Sequence, residues 1–525
     1  MKIKRIGLFC VRGFCMLALA GCAVGPDFRK PESSLPAKWY GKAASVFYKE
    51  TAATPATSAT PAGPAPRVTP APDPVELALW WKSFEDPVLD SLIERAIRAN
   101  PDLKQAVSRI RQARAAQGVV TAGLWPTVNT TASYRQSHGS STTTSVLENS
   151  GTPDASISTS TGSGNTTRNL FRIGLDSAWE LDFFGGTRRN IEAARADLEA
   201  AVEDRRAVLV TLVSDVGSNY ANLRQFQAQV EIARKNLKAQ QHTADITRKR
   251  HDAGFVGGLD VANAQAQAAT TESLIPTLES QASAAIYNIS VLLGLEPAAL
   301  AEELTAEKPI LPTPPEIPVG LPSDLLRRRP DIRKAEAQVH AATARIGVAT
   351  ADLFPKFSLT GNVGISGQDI MSLGNWSNRF WSWGPTVTWP IFDAGRIRWN
   401  IEVQNAIQEQ ALLAYEKAVL TALKDVETAL VAYANELEHN RLLAVAVANN
   451  TRAVDLSMQL YVVGRSDFLN VLNSQRALFV TEDALAASTN ALITDLIALY
   501  KALGGGWEKD EGGTFKPVPI LSLHP

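Results

Sequence analysis

The sequence predicts an α+β membrane protein in which one unit, helix-strand-strand-long helix-short helix, occurs twice. Three observations predict it. The second half repeats the first in register, four segments alternate apolar and polar residues, and two helical stretches far exceed the length of a globular helix.

At an offset of 210 residues, Trp179, Gly185, Arg188, Asn190, Ile191 and Glu192 recur as Trp389, Gly395, Arg398, Asn400, Ile401 and Glu402. Farther along, Gly254, Leu259, Val261, Asn263 and Gln265 recur at the same offset as Gly464, Leu469, Val471, Asn473 and Gln475. An upstream block repeats at offset 229, where Pro101-Asp102, Ala106, Gly118-Val119, Leu124 and Pro126 match Pro330-Asp331, Ala335, Gly347-Val348, Leu353 and Pro355. A register kept over such distances means one supersecondary unit built twice. The expected division is 1–21 as an export signal, 22–79 as an anchored segment and Pro/Ala/Thr-rich linker, and 80–300 as the first repeat. A Pro-rich connector follows at 301–321, then the second repeat at 322–507 and a tail at 508–525.

The start reads as a processed signal: Lys2, Lys4 and Arg5 precede a short apolar run that ends in Leu19-Ala20-Gly21-Cys22. That tetrapeptide resembles the bacterial lipobox, whose cysteine is acylated and becomes the first mature residue. Cys10 and Cys15 fall in the removed segment, so Cys22 has no intrachain partner. More than one acyl chain is needed for stable anchoring, and bacterial lipoproteins carry more than one. Ala23 rather than aspartate follows Cys22, which points to the outer membrane. Organised structure is expected from Trp80-Trp81 and Phe84-Glu85-Asp86-Pro87 onward.

Each repeat opens with an Ala/Arg/Gln-rich helix, Asp102 to Leu124 and Asp331 to Leu353, closed by Trp125-Pro126 and Phe354-Pro355. Strands follow at about 127–136 and 169–181 in the first repeat, and at about 356–366 and 380–392 in the second. Phe171, Ile173, Leu175, Trp179 and Leu181 share one face, with Arg172, Asp176 and Glu180 on the other. Phe357, Leu359, Val363 and Ile365 likewise face away from Ser358, Thr360, Asn362 and Ser366, and Trp381, Trp383 and Val387 away from Ser382 and Thr386. One such strand fits a soluble sheet with a wet face. Four of them at spanning length, with Trp125, Trp179, Phe354 and Trp389 at the helix-proximal ends, fit a membrane barrel and its aromatic girdle. Long polar loops, Ser137 to Thr167 and Gly367 to Asn378, suit the cell exterior.

The long helices are expected over 187–253 and 396–463, each reaching roughly 100 Å at 1.5 Å per residue. Each breaks at a glycine turn and returns through a shorter helix, Leu259 to Leu293 or Phe468 to Leu503. Four strands cannot close a barrel, and open edges in hydrocarbon cost several kcal/mol per unpaired group. The sequence therefore demands an oligomer; three copies, a homotrimer with four strands per chain, would supply a plausible closed 12-stranded barrel continued by a periplasmic α-helical barrel.

Composition narrows the class. Lys+Arg 52 against Asp+Glu 53 leaves a formal charge of -1, which gives nucleic acid no handle. The six histidines show no metal-ligand spacing, and neither a phosphate-cradling glycine loop nor a nucleophile elbow is present. No catalytic residue, metal or cofactor is expected, and an enzyme is the weakest class.

Several motifs together resemble the TolC family of outer-membrane efflux proteins. They are Gly25-Pro26-Asp27-Phe28 after the lipobox, Trp80-Trp81 with Phe84-x-Asp86-Pro87-x-Leu89, and Asn100-Pro101-Asp102-Leu103. Arg329-Pro330-Asp331-Ile332-Arg333, Leu353-Phe354-Pro355, Ser358-Leu359-Thr360-Gly361 and Trp389-Pro390-Ile391-Phe392-Asp393-Ala394-Gly395-Arg396 complete the pattern. The match is to the NodT- and OprM-like lipoprotein branch. It implies a trimeric channel-tunnel that docks a periplasmic adaptor protein and serves an inner-membrane resistance-nodulation-division transporter. Two alternatives remain: a conduit for protein secretion, and a lipid-anchored coiled-coil stalk without a pore.

Candidate functional residues lie in three places besides Cys22. The turn Gly464-Arg465-Ser466-Asp467 brings Asp467, beside Ser466 and Arg465, to the periplasmic aperture, where three copies would form an acidic ring. In the resembling branch the acid commonly stands one position earlier, where this chain has Ser466. The simpler expectation is that Ser466 or Asp467 caps the following helix. Gly254, Gly257, Gly258, Leu259, Gly464 and Leu469 are candidates for adaptor contact at the hairpin tips, or plain turn formers. Arg172, Asp176 and Glu180 are expected to line the barrel lumen, alone or in cross-strand ion pairs.

Overall fold

The computed structural model describes residues 23–31, 39, 77–141, 164–306, 308–312 and 328–507. The export signal, Cys22, most of the linker, much of the connector and the tail lie outside the described residues. The helices are α1 (Pro87–Ala99), α2 (Pro101–Ala122), α3 (Gly186–Asp252), α4 (Gly258–Leu292), the single turn α5 (Ala301–Leu304), α6 (Pro330–Ala351), α7 (Arg396–Val462) and α8 (Phe468–Ala502). The strands are β1 (Thr127–Ser141), β2 (Gly164–Leu181), β3 (Lys356–Gly367) and β4 (Arg379–Thr388). The order helix, strand, strand, long helix, shorter helix thus occurs twice. Among the described residues, no helix is long and apolar enough to cross a membrane.

Two compact units result. The first comprises Arg114–Ala196 and His340–Glu409 with the segment up to Arg29. Its four strands form one antiparallel sheet in the order β1-β2-β3-β4. Register sorts the side chains by polarity, with Ile173 opposite Ile365, Leu175 opposite Val363 and Val363 opposite Trp381. On the other face Asn129 pairs with Asp176, Asp176 with Asn362 and Asn362 with Ser382. A shift by one residue would exchange the faces, so the alternation itself specifies the pairing.

The same unit shows why the long helices begin where they do. Asp182 accepts the backbone N–H groups of Thr187 (3.2 Å) and Arg188 (2.9 Å). Asp393 accepts those of Gly395 and Ile397, both at 2.9 Å. Each carboxylate satisfies donors that a helix start leaves unpaired and complements its dipole. Trp179 and Trp389, which correspond in the two repeats, are tethered equivalently. Trp179 donates its indole N–H to the Leu124 carbonyl (2.9 Å), and Trp389 donates to the Leu353 carbonyl (3.0 Å).

Residues 23–30 form a strap. Within the first unit, Val24 N–H bonds the Phe184 carbonyl (3.1 Å), and Phe28 stacks on His340 at 4.4 Å. Buried Arg189 donates to the Val24 carbonyl (3.2 Å) and to Asp27 (2.6 Å). The Gly25-Pro26-Asp27-Phe28 motif is therefore a docking segment. Gly25 stands at φ +94°, and a Cβ there would lie 2.4 Å from the Gly347 Cα.

The second unit, Lys30–Ala113, Asp197–Val339 and Gln410 onward, is helical. Its core gathers Trp80, Trp81, Phe84, Leu89, Leu92 and Ile93 against the long helices. Trp80 stacks on Tyr500 with centroids 5.2 Å apart. Gly217, the lone glycine in the interior of α3, makes room for it, since a Cβ there would lie 3.2 Å from both Trp80 and Ile497. Asp86 caps α1 through Val88 N–H (2.8 Å) and accepts the Tyr220 hydroxyl (2.6 Å). Tyr220 in turn accepts from Arg224 (2.8 Å). Burial, then the bond to Asp86, holds the Tyr220 hydroxyl protonated well above the usual phenol range.

Four expectations need correction. The first outer loop does not span Ser137 to Thr167, because β1 continues to Ser141 and β2 resumes at Gly164. The polar residues there keep strand pairing, as Ser137 with Arg168, since backbone hydrogen bonds do not depend on an apolar face. β4 stops at Thr388 rather than near 392, because its partner β3 begins at Lys356, the residue paired with Thr388, and leaves nothing beyond to pair with. Ahead of the first repeat's expected opening helix stands a further one, α1, started by Asp86 at the cap and Pro87 at the first position. Finally, neither Ser466 nor Asp467 caps α8 through its side chain, as described next.

Candidate translocation path

The polar face of the sheet is the first candidate region. Arg172, Asp176 and Glu180 project from it at alternate positions of β2. Arg172 and Asp176 engage uncharged groups. The Asp176 carboxylate accepts the Thr131 hydroxyl at 2.6 Å, and the Arg172 guanidinium lies 4.2 Å from the centroid of the Phe380 ring. Glu180 is exposed. Phe380 lies over the paired glycines Gly174 and Gly364, and a Cβ on Gly364 would stand 2.7 Å from its ring and 2.4 Å from the Ile173 carbonyl. Bare backbone at this spot is what admits an aromatic ring on an otherwise polar face. Sequence reasoning identified Arg172 but missed Phe380; the two glycines at same-face positions were the available signal.

The hairpin turns are the second candidate region. At the first, Gly254 (φ +80°) donates its N–H to the His251 carbonyl (2.8 Å) and Phe255 donates to Arg250 (2.8 Å). At the second, Gly464 (φ +76°) donates to Tyr461 (3.0 Å) and Arg465 to Leu460 (2.8 Å). Both are Schellman closures, in which glycine alone takes the left-handed position without strain. Gly257 occupies the N-cap position of α4 and Gly258 its first turn. Phe255, Leu259 and Leu469 are exposed at the two turns.

Asp467 takes the N-cap position of α8, yet its side chain accepts no capping hydrogen bond. Its carboxylate and Arg465 are exposed, while Ser466 accepts from Asn470 at 3.1 Å. Behind the turns, Tyr461, Phe468, Val471 and Leu472 form an apolar cluster with Ala244 and Ala264. Arg250 ties the two hairpins together. It donates to the Tyr461 carbonyl and lies 4.5 Å from the centroid of that residue's ring. The acceptor belongs to the C-terminal turn of α7, the negative end of the helix dipole. Arg250 is one of three basic residues closing α3, and its target on the other hairpin is set by the tertiary fold.

Comparison with known proteins assigns the family. The pattern described as outer membrane efflux protein matches residues 92–295 and 321–505, one match per repeat. The chain belongs to the outer membrane efflux protein family. It is 36% identical over 442 residues to the pyoverdine export outer membrane protein OpmQ of Pseudomonas aeruginosa, covering 84% of this chain and 90% of that one. It is 31% identical over 497 residues to nodulation protein T of Rhizobium leguminosarum bv. trifolii, covering 94% and 96%. Among solved structures, the outer-membrane channel OprN superposes with a TM-score of 0.79 at 34% identity, covering 93% of this chain and 100% of that one.

Membership settles the class: this outer membrane efflux protein is a channel through which compounds leave the cell across the outer membrane. Its fold is that of the family's channels, a strand sheet combined with long helical hairpins. The family consists of channels rather than enzymes.

Proposed function

We propose that three copies assemble into one continuous conduit, closing twelve strands into a barrel, and that the hairpins dock a periplasmic adaptor fed by an inner-membrane resistance-nodulation-division transporter. The observation that carries this reading is the two-faced sheet. Trp381 (67% exposed) and Trp383 (73%) stand with Ile173, Leu175 and Val363 on an uncovered apolar face, while β1 and β4 end the sheet as edges. An apolar outer face with open edges is stable in a bilayer only when further strands close it. Twelve strands, four from each copy, match the dimensions of a membrane barrel.

In this conduit Arg172, Asp176 and Glu180 keep the barrel wall wet, and Phe380 with Arg172 narrows it. Asp467 supplies an acidic ring at the periplasmic aperture, flanked by Ser466 and Arg465. Its exposed, uncapped carboxylate supports that role. The hairpin tips, with Gly254, Gly257, Gly258, Leu259, Gly464 and Leu469 exposed, meet the adaptor. Acylated Cys22 anchors the chain in the outer membrane. Cargo is a small toxic or secreted compound; relatives are named for pyoverdine, toluene and cations.

Native mass in mild detergent, corrected for bound detergent, tests the assembly, and planar-bilayer conductance tests the pore. A trimer that conducts is expected. A monomer under several gentle extractions, or a trimer that never conducts, would overturn the reading.

A further inference from the structure

The apolar face of the sheet carries a single formal charge. Residues paired across strands share a face, so the register sorts the strand residues into two sets. Ile173 stands opposite Ile365, and Ile365 opposite Arg379, which puts Arg379 among the apolar set. Among the described strand residues, it is the only Asp, Glu, Lys or Arg on that face. A cation facing hydrocarbon is strongly destabilising at the midplane of a bilayer and nearly neutral at its surface. Its height on the strand therefore decides what Arg379 meets.

Trp389, tied to the Leu353 carbonyl, marks the boundary of the face beside the helices. Arg379 stands ten positions before it. At about 3.3 Å per residue and a tilt of about 40°, that separation is about 25 Å of height, the full apolar band of a membrane barrel. The far boundary is marked a second time on β1 and β2. Tyr134 packs on Phe171 with centroids 4.7 Å apart and donates its hydroxyl to Asn169 at 3.1 Å, so its body is apolar and its tip polar. Beyond it, Gln136 donates to Asn169 (3.1 Å) and His138 meets Thr167 (2.8 Å), neutral groups with no carboxylate among them. Arg379 thus stands at headgroup level on the side away from the long helices, which is the outer leaflet.

The surroundings of Arg379 are firmly built. Two short 3-10 turns, Ile370–Gly374 and Trp376–Asn378, join β3 to β4. Asp369 and Ser372 cap the first reciprocally, and Asn378 donates its side-chain amide to the Ser372 carbonyl at 2.7 Å. This frame sets the Trp376 ring 4.7 Å from the Arg379 guanidinium and leaves Ile370, Met371 and Trp376 exposed. The Asp369 carboxylate is engaged by its cap, and Arg379 makes no ion pair among the described residues.

We infer that Arg379 binds the phosphate of an outer-leaflet glycolipid, with Trp376 holding the guanidinium plane. Guanidinium offers phosphate two parallel N–H donors, and an aromatic face orients it without neutralising its charge. The exposed apolar residues of the same turns meet the acyl region, and the neutral amides and hydroxyls of the outer rows suit sugar hydroxyls. The site rests on the reading of the apolar face as lipid-facing given above.

Native mass spectrometry of the full-length protein in mild detergent tests it. The probe is diphosphoryl lipid A, compared with the same lipid stripped of its phosphates and with phosphatidylglycerol. The parent trimer should retain the diphosphoryl lipid about tenfold more tightly than either comparison lipid. Arg379→Gln should lose that preference while keeping the trimer mass and the planar-bilayer conductance. Arg379→Lys, a charge without the planar fork, should keep part of it. Equal retention of both forms of lipid A by the parent, or an undiminished preference in Arg379→Gln, overturns the site and leaves the conducting trimer standing. Phosphatidylglycerol held as tightly as the diphosphoryl lipid overturns the glycolipid as ligand. A monomeric parent overturns the lipid-facing reading and the site with it.

Discussion

Replacing Arg250 with alanine should unlatch the periplasmic mouth. The Arg250 guanidinium donates to the Tyr461 carbonyl and sits over the Tyr461 ring, so it joins the two hairpins of a chain just behind their turns. A hydrogen bond from a charged donor contributes about 1.5–3 kcal/mol. A cation-ring contact at a partly exposed site adds about 0.5–1 kcal/mol. Arg250 is half-buried, so the lower ends apply, giving about 2 kcal/mol per chain. Each 1.4 kcal/mol is tenfold in an equilibrium, so parting of the hairpins should become roughly 30-fold easier in each protomer. Single-channel recording in planar bilayers reads this as a large rise in open probability. Tyr461→Phe should do little, because the acceptor is the backbone carbonyl and only the hydroxyl bond to Thr247 (3.1 Å) is lost. Arg441→Ala, which breaks an exposed contact to Glu438 on the same helix, should leave gating unchanged. An Arg250→Ala channel that opens no more often than its parent would refute the latch.

Three further outcomes follow from the same geometry. Asp467→Asn should lower cation preference, read from the reversal potential in a salt gradient, while leaving the melting temperature unchanged because the side chain makes no capping bond. Gly364→Ala should cost about 1–3 kcal/mol and impair assembly, since its Cβ would stand 2.4 Å from the Ile173 carbonyl; Gly384→Ala, with nothing within 4 Å, should be tolerated. Burial pushes the Asp204 carboxyl up, but the bonds from Lys334 (2.6 Å) and Arg109 (3.2 Å) outweigh it and hold its pKa below the usual carboxylate range. A depressed carboxylate stabilises the fold above its unfolded pKa and loses that contribution as pH falls through the folded value. Asp204→Asn should therefore lower the neutral-pH melting temperature and flatten its decline in acid, and an unchanged acid profile would contradict the assignment.

The candidate sites were legible to different degrees. Glycines 254 and 464 could be read as turns because a Schellman closure is local, involving residues within five positions. The two faces of β2 could be read because alternation is a property of consecutive residues. Asp467 was misjudged as a side-chain cap: its place before α8 is a matter of sequence, but whether its carboxylate turns back to the helix is a matter of rotamer and surroundings. Phe380 escaped notice because its significance depends on Gly174 and Gly364, which lie on two other strands.

By itself, the sequence determined the doubled unit, the polarity of the strand faces, the long hairpins and the family resemblance, because periodicity, turn chemistry and repeated motifs are carried by neighbouring residues. Only the tertiary structure decided that Arg250 reaches Tyr461, that Trp80 and Ile497 meet at Gly217, and that Phe380 lies over Gly174 and Gly364. Each of these pairs residues from separate elements, and no local pattern records which distant group a side chain will meet.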